Sequence, residues 1–421
     1  MPVKSQIRTL QSVFVAMAAI QLATAASGTL VPLAIAEIGA SQEAASLAAS
    51  AYSAGFLIGC FLVARSIDDY GHIRAFAAGA ALTTAAAIFF TQVANAPFLI
   101  FLRFMTGLAT ASLFSIGDAW INESTEKMSR GKVLAIYAIL IGLVSVFSQA
   151  IVIVVPEDIS QAFIFVALIY CFSIIVISTT RSNPPKSEAR ANIRIKGLFQ
   201  DAPAAVAGVF VIGMVSTIIL SVAPYSASQL GIGVRDIALI IGAIYLGRVL
   251  FQYPLGVLSD KMDRRVLIFF TSCVCAGVLL VMAIIVEPNP APIADEFDYL
   301  SVSYFVLMAL MVLLGGSLLT LYSLLSAHAL DRTVPVYVSS AAVTMLFVWT
   351  IGSVVGPLFV SIFTSAYGDG TMHWVNFAVM LTYLVFLGFK IWTVEAVSPA
   401  EQTQNVFFVQ TSTEMTPTEK R

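Results

Sequence analysis

Charge is scarce in this sequence. Of its 421 residues only 11% are Asp, Glu, Lys or Arg, whereas 59% are hydrophobic, and the mean hydropathy is +0.91. A chain this apolar is not a soluble globular protein. The formal net charge of −2 is close to zero and indicates no charged partner, and nothing in the sequence favours nucleic-acid binding.

Residues that bind metals or carry covalent chemistry are also few. The four cysteines lie inside apolar segments, and the closest pair, Cys273 and Cys275, lacks the spacing of a metal or redox motif. The three histidines form no cluster along the chain. Because no nucleophile–base pair, metal-ligand set or phosphate-binding loop is recognisable, the sequence favours neither an enzyme nor a protein with a cofactor.

Long apolar runs, by contrast, are abundant. Twelve segments reach roughly 20 residues or more, the length that crosses a bilayer core as a helix. They lie near residues 12–36, 43–64, 75–95, 98–121, 132–155, 160–180, 203–228, 235–258, 266–287, 299–327, 336–364 and 373–395. The first run is too long for a cleaved signal peptide. The sequence therefore predicts an all-α membrane protein with twelve transmembrane helices.

The basic residues follow one side of the predicted membrane. With the N-terminus in the cytoplasm, nineteen of the 22 Lys and Arg residues lie in cytoplasmic tails and loops, and only Arg235 lies in an external loop. Basic loops mark the cytoplasmic side, so both termini are predicted to be cytoplasmic. The remaining two, Arg103 and Arg248, fall inside predicted spans. A guanidinium buried there costs about 3 kcal/mol or more and needs a compensating role.

A polar segment divides the chain into two halves. Residues 181–202 contain five Lys or Arg and a Pro-Pro pair, which indicate a cytoplasmic linker with a short surface helix near 192–199. The linker separates an N-terminal six-helix bundle (1–180) from a C-terminal one (203–396). The Thr- and Glu-rich residues 397–421 are predicted to be a disordered cytoplasmic tail.

The halves also resemble each other in sequence. A single offset of 192 superposes three residues of the first half on identical residues of the second: Pro32 on Pro224, Gly39 on Gly231, and Asp68 on Asp260. Each pair falls at an equivalent point of the predicted topology. The halves are therefore predicted to be pseudo-symmetric repeats, an arrangement that alternating-access carriers use.

A charged loop follows the predicted eighth span. It reads Gly256-Val257-Leu258-Ser259-Asp260-Lys261-Met262-Asp263-Arg264-Arg265. Its glycine allows helices to approach closely, its aspartate can face a helix N-terminus, and its arginine pair can bind helix C-termini and carboxylates. We predict that Gly256, Asp260, Arg264 and Arg265 form a latch on the inner face. The first-half loop keeps Asp68, Gly71 and Arg74 but has His72 and Ile73 where basic residues are expected.

This loop resembles the G-x-x-x-D-x-x-G-R-R signature of the major facilitator superfamily, with Asp263 in place of the usual glycine. Further segments resemble the YcaD-like branch of its permeases: Arg103-Phe104-x-x-Gly107, Asp118-Ala119-Trp120-Ile121-Asn122-Glu123, Arg130-Gly131 with Tyr137, Gln252-Tyr253-Pro254-Leu255-Gly256, Ala327-His328-Ala329-Leu330-Asp331-Arg332 and Gly352-x-x-x-Gly356-Pro357. The branch usually has Glu in place of Asp118. The resemblance implies two six-helix halves and transport by alternating access, but no particular solute.

Arg248 is the main candidate for substrate binding. It lies about 18 Å along its helix from Asp260, near mid-membrane, and Tyr245 and Gln252 share its helix face. No acidic residue of any predicted span lies at its depth. These features predict an anion-binding group in a cavity. The alternative is an arginine held in place by helix-end carbonyls or water.

Arg103 lies near the outer end of the fourth span. The resemblance associates this arginine with proton transfer or gating, and the alternative is a side chain that reaches the outer interface. Asp118 is predicted to join the Asp68–Arg74 network rather than couple to protons, and His328 occupies the comparable place in the second half. Other polar residues mark candidate cavity walls, although each could equally join two helices: Gln21, Thr24, Tyr137 and Gln149.

These features predict a secondary transporter of the bacterial inner membrane. It is expected to move a small organic solute, with an organic anion favoured, to couple to protons and to act as a monomer. One alternative is a drug or metabolite exporter of the same fold. However, the Gly-Pro signature of drug antiporters is absent from the fifth span, which reads Gly142 to Gln149, and appears on the eleventh. The alternative from another class is a membrane sensor that binds its ligand without moving it.

Overall fold

The computed structural model describes residues 10–125, 130–154, 158–180, 191–286, 302–394 and 415–416. Within these ranges the chain forms sixteen α-helices. They are α1 (Gln11–Glu37), α2 (Gln42–Tyr70), α3 (His72–Phe89), α4 (Ala96–Glu123), α5 (Arg130–Phe147), α6 (Gln149–Val154), α7 (Ile159–Ser178), α8 (Ile195–Asp201), α9 (Pro203–Ser221), α10 (Ala223–Gln229), α11 (Val234–Ser259), α12 (Arg264–Ile285), α13 (Val302–Leu318), α14 (Leu321–Asp331), α15 (Val338–Tyr367) and α16 (Thr371–Thr393). Two short strands, β1 (Ala191–Asn192) and β2 (Met415–Thr416), pair in parallel.

The helices account for all twelve predicted spans. Nine spans are single helices, whereas the fifth, seventh and tenth each consist of two consecutive helices, α5–α6, α9–α10 and α13–α14. Among the described residues, eleven spans are long and apolar enough to cross a membrane. The eighth, α11, has 26 residues and includes Arg235, Asp236 and Arg248. The all-α, twelve-helix prediction is confirmed. Below, inner and outer denote the sides that the distribution of Lys and Arg predicts.

The seventh span breaks at a proline. Its first helix, α9, ends at Ser221, and α10 begins at Ala223, one residue before Pro224. Proline has no N–H to donate and disfavours helical geometry at the residue before it. The repeat-related Pro32 instead lies inside the continuous helix α1. The two equivalent prolines therefore shape their spans differently.

Glycines hold equivalent helix pairs of the two halves close together. In the N-terminal half Gly55 of α2 and Gly107 of α4 each face a backbone carbonyl of the other helix, so closely that an added Cβ would collide with it. In the C-terminal half Gly247 of α11 and Gly315 of α13 do the same. Gly55 and Gly247 are separated by the same offset of 192. The repeat therefore extends from sequence to helix packing.

The turns between spans show the repeat again, with one departure. Gly39 and Gly231 both adopt a left-handed conformation, with φ of +68° and +81°, which glycine allows without strain. Gly71 does so as well, with φ of +79°. At the position equivalent to Gly71, Asp263 has φ of −59°, and its carboxylate accepts a hydrogen bond from the N–H of Arg265. Aspartate in place of the glycine of the signature thus caps α12 instead of making a left-handed turn.

The two halves touch at their outer ends. The Tyr225 hydroxyl, in α10, donates to the carbonyl of Ala40 at 2.8 Å. The side-chain amide of Gln42, oriented with its nitrogen toward Asp369 in the turn before α16, donates to that carboxylate, 3.2 Å from Oδ2. Burial raises the pKa of Asp369. The outer face is therefore closed by contacts between the α1–α2 turn and the C-terminal half.

The second span continues this contact toward mid-membrane against the eleventh. The Ser50 hydroxyl of α2 donates to the carbonyl of Val354 in α15 at 2.8 Å. Further in, the rings of Phe61 and Phe347 meet edge to face, with centroids 6.1 Å apart. A small apolar cluster fills the outer part of the interface: Ala49, Ile218, Val222, Val360, Met372 and Val375.

The described part of the linker lies against the eleventh span. Its helix, α8, begins at Ile195, three residues later than predicted. The N–H of Arg194 donates to the Thr344 hydroxyl at 2.9 Å, and its guanidinium lies 3.5 Å from the centre of the Tyr337 ring. Residues 181–190, and the predicted disordered tail except β2, lie outside the described residues.

Candidate functional site: a cavity between the halves

A cavity of about 180 Å³ lies between the two halves near mid-membrane. Five of the predicted substrate-binding residues line it: Gln21, Thr24, Arg103, Tyr245 and Arg248. The N-terminal half contributes residues from α1, α2, α4 and α5, and the C-terminal half contributes residues from α9, α11 and α15. A cavity walled by both halves is where a carrier that rocks about a central site would hold its solute.

Arg103 reaches this cavity from the fourth span. Its side chain is only 4% exposed, and its guanidinium carbon lies 4.4 Å from the centre of the Tyr52 ring, a cation–π distance. The Tyr52 hydroxyl in turn accepts a hydrogen bond from Thr110 at 3.1 Å. The side chain therefore points into the protein rather than toward the outer interface.

Arg248 reaches the same cavity from the eighth span and is 9% exposed. Tyr245, one turn earlier on α11, lies beside it and within electrostatic range of both Arg248 and Tyr52. Among the described residues no carboxylate forms an ion pair with Arg103 or Arg248, and the Nε atom of each lacks a hydrogen-bond partner. The cavity wall therefore carries two positive charges without a negative one.

Hydrogen bonds within the N-terminal half fix the two polar side chains that α1 presents to the cavity. The Gln21 amide donates to the Ser145 hydroxyl at 2.9 Å, and the hydroxyls of Thr24 and Tyr170 lie 3.0 Å apart. These bonds keep two neutral polar groups at the cavity surface. Such groups can donate to or accept from a bound solute without adding charge.

Three other predicted residues lie outside the cavity wall. Gln149 accepts a hydrogen bond from Thr29 at 3.0 Å, and so joins α6 to α1. The Tyr137 hydroxyl donates to Asp118 at 3.1 Å, which ties α5 to the inner part of α4. Gln252 shares a helix with Arg248 but does not line the cavity.

The sequence did not single out two aromatic residues that the cavity contains. Tyr52 lies beneath Arg103, and Trp349 of α15 lines the C-terminal wall with its indole Nε1 unpartnered. Each stands in an apolar run, where aromatic side chains more often pack than bind. Tyr52 is recognisable as a cavity residue only from the folded structure, in which α4 places the guanidinium of Arg103 over its ring.

A larger cavity, of about 420 Å³, lies within the C-terminal half at its outer end. Mostly aliphatic side chains of α9 to α13 line it, together with residues at the start of α16. None of the predicted site residues lines it. It belongs to one half only, so we assign the substrate site to the smaller, charged cavity.

The inner-face latch contains a buried ion pair. Arg264, 1% exposed, binds both carboxylate oxygens of Asp331 at 2.8 Å, and the Asp331 side chain is also 1% exposed. The other nitrogen of the fork contacts Asp260 at 3.1 Å, a carboxylate with 39% exposure. The latch thus joins the inner ends of the eighth, ninth and tenth spans.

Arg265 extends this network to the twelfth span. It binds the carboxylate of Asp263 at 2.8 Å and donates to the carbonyl of Val394 just beyond α16. Burial raises the pKa of Asp263, but the hydrogen bonds and charge of Arg265 outweigh burial and hold that pKa below its usual value. His328 is 4% exposed and lies within electrostatic range of these groups. All these contacts stay within the C-terminal half.

The first-half loop is organised differently. Gly71 makes the turn, His72 is buried within electrostatic range of Asp68, and Arg74 is exposed. Asp118 accepts the Tyr137 hydrogen bond described above. The two inner loops therefore share a position in the repeat but not a set of contacts.

Comparison with known proteins agrees with this architecture. The sequence model of the Major Facilitator Superfamily matches residues 13–206 and 205–411, one match for each half. The chain is 22% identical over 372 residues to the uncharacterized MFS-type transporter YcaD of Escherichia fergusonii, and 22% identical over 368 residues to that of Salmonella typhi. Each alignment covers 87% of this chain and 91% of the relative.

Solved structures with a similar fold are transporters. The nucleoside transporter NupG superposes with a TM-score of 0.71 at 10% identity, over 90% of this chain and 98% of NupG. A bacterial homologue of the human lysosomal transporter Spinster, inward-facing and occupied, superposes with a TM-score of 0.70 at 12% identity, over 96% and 99% of the two chains. These likenesses show the fold, and the sequence match shows the family. The chain is a multi-pass membrane protein that belongs to the major facilitator superfamily, in its YcaD branch of permeases.

Proposed function

We propose that this chain is a secondary active transporter that carries a small organic anion across the bacterial inner membrane. The observation that carries the proposal is Arg248, buried in a cavity between the halves with no carboxylate partner among the described residues. An unpaired buried guanidinium is costly, and a bound anion would compensate it. The two-half fold supplies the means of alternating access.

The same observation disfavours export of a cationic drug. Two guanidinium groups face the cavity, so a cation bound there would meet repulsion from both. An apolar drug would gain from Phe56, Phe114 and Trp349, but it would leave both arginines uncompensated. A small polar anion satisfies the charges and also has hydrogen-bond partners in Gln21 and Thr24.

Ligand binding to the purified protein tests the proposal. Anionic, neutral and cationic solutes of similar size are compared for their ability to raise the apparent Tm. We expect anions alone to stabilise the wild type and Arg248→Gln to weaken that stabilisation. Arg248→Lys should recover only part of it, because lysine lacks the planar fork that grips a carboxylate at two points. Stabilisation by neutral or cationic solutes that survives in Arg248→Gln would show that the site is not an anion site.

Uptake into proteoliposomes then tests transport and coupling. We expect an anion that stabilises the protein to accumulate faster when the external medium is more acidic than the lumen. A protein that binds the anion but moves none would instead be a sensor. Arg65→Gln, which removes an exposed arginine at the inner end of α2, serves as the matched control.

A further inference from the structure

The two buried arginines belong to opposite halves of the protein. Arg103 comes from α4 in the N-terminal half and Arg248 from α11 in the C-terminal half, and both line the one cavity of about 180 Å³. They are 4% and 9% exposed. Water therefore screens neither charge well, and each needs compensation from nearby.

The protein supplies little of that compensation. Arg103 stacks on the neutral ring of Tyr52, and Tyr245 lies beside Arg248. No Asp or Glu lines the cavity among the described residues, where the other polar lining groups are amides, hydroxyls and an indole. A monoanion bound here would leave one positive charge unbalanced, whereas a dianion would balance both.

Each of the two guanidinium groups has a tyrosine beside it at the cavity wall. Arg103 lies over Tyr52, Tyr52 is within electrostatic range of Tyr245, and Tyr245 is beside Arg248. The two charges therefore face one cavity from opposite halves, each with a tyrosine nearby. A solute with an anionic group at each end fits this arrangement, because each guanidinium can then bind one group through its fork.

The volume limits the size of the solute. Pockets that hold drug-sized ligands measure roughly 300–1,000 Å³, and this cavity is smaller, at about 180 Å³. We propose that the cavity takes a compact organic dianion, a short dicarboxylate or a small phosphate ester, held between Arg103 of one half and Arg248 of the other. This inference rests on the proposed anion transport and adds the required charge of the solute.

One consequence concerns the movement of the halves. A dianion gripped at both ends ties α4 to α11 through the cavity. A monoanion can satisfy one arginine and leave the other half unattached. The dianion is therefore expected to favour the state in which both halves close on it, and the monoanion is not.

The test compares solutes that differ in charge but not in length. Succinate and butyrate have the same carbon chain and carry two and one carboxylates, and 1,4-butanediol is the neutral match. Glycerol phosphate tests the phosphate ester. The Kd of each is measured from its stabilisation of the full-length purified protein. We expect the Kd of succinate or of glycerol phosphate to be lower than that of butyrate by about tenfold or more.

Substitutions then test whether Arg103 and Arg248 each bind one end of the dianion. Arg103→Gln and Arg248→Gln should each reduce the dianion-to-monoanion ratio of affinities to near one, and Arg65→Gln should leave it unchanged. Arg103→Lys keeps the charge and should keep most of the ratio. This variant also tests the assignment if Arg103→Gln does not fold. The ratio of dianion to monoanion affinity measured for the wild type tests the inference without any substitution.

The outcomes separate the two proposals. If neither succinate nor glycerol phosphate bound more tightly than butyrate, or if two butyrate molecules bound per protein, the dianion inference would be overturned and anion transport would be left standing. Stabilisation by 1,4-butanediol but by no anion would overturn both. A preference for succinate identifies a dicarboxylate as the solute class, and a preference for glycerol phosphate identifies a phosphate ester.

Discussion

The buried ion pair of the inner latch predicts how stability depends on one carboxylate. Arg264 and Asp331 are each 1% exposed and share two hydrogen bonds of 2.8 Å. Asp331→Asn keeps the shape of the side chain but removes the buried negative charge that the guanidinium binds at both oxygens. Breaking a buried pair in this way costs about 3–5 kcal/mol.

Thermal unfolding of the purified protein measures this cost. For a unit the size of one six-helix half, a loss of about 3 kcal/mol lowers the apparent Tm by roughly 6–12 °C. Asp260→Asn is the matched control. It removes the other carboxylate of the same arginine, but that carboxylate is 39% exposed, and such a pair contributes about 0–1 kcal/mol.

A double variant completes the reasoning. Arg264→Met combined with Asp331→Leu removes both charges and should recover most of the stability, because a well-packed apolar pair replaces the ion pair without its desolvation cost. If Asp331→Asn and Asp260→Asn lowered the Tm equally, burial would not determine the strength of this latch. If the double variant were as unstable as Asp331→Asn, packing rather than charge would be responsible.

Three further predictions follow from other parts of the structure. Because the Gln42 amide donates to the carboxylate of Asp369 across the outer face, Asp369→Ala should shift the protein toward an open outer face, as measured by spin-label distances across it; unchanged distances would refute this. Gly107→Ala should force α2 and α4 apart and lower the Tm by several degrees. Gly277→Ala is the control, because open space surrounds the added Cβ, and it should leave the Tm nearly unchanged. Equal losses of Tm in the two variants would exclude close helix packing as the cause. Arg265→Ala should impair uptake more than Arg74→Ala at equal expression. The reason is that Arg265 is buried and binds the end of the twelfth span, whereas Arg74 is exposed. Equal uptake rates in the two variants would refute this.

Hydropathy predicted the spans well because bilayer thickness sets their length directly. All twelve runs became helical spans, and most ends moved by only a few residues. The breaks inside spans were harder to predict. Pro224 marks one of them, but the breaks at Ser148 and between Leu318 and Leu321 contain no proline to announce them.

The cavity was predicted only in part, for a different reason. In a mostly buried membrane helix, apolar residues face every direction, so the pattern of side chains does not show which face lines a cavity. Tyr245 and Gln252 share the face of Arg248 by spacing, yet only Tyr245 lines the cavity. The Arg264–Asp331 pair was missed because its members are 67 residues apart, whereas Asp260 is nearby in sequence.

The closure of the outer face has a consequence for ionic strength. Among the described residues its polar contacts include the hydrogen bonds from the Tyr225 hydroxyl to the Ala40 carbonyl and from the Ser50 hydroxyl to the Val354 carbonyl, and that from the Gln42 amide to Asp369. None of these joins two opposite charges, so added salt screens little of their energy. We therefore expect changes in external salt to leave these contacts of the closed outer face largely unaffected.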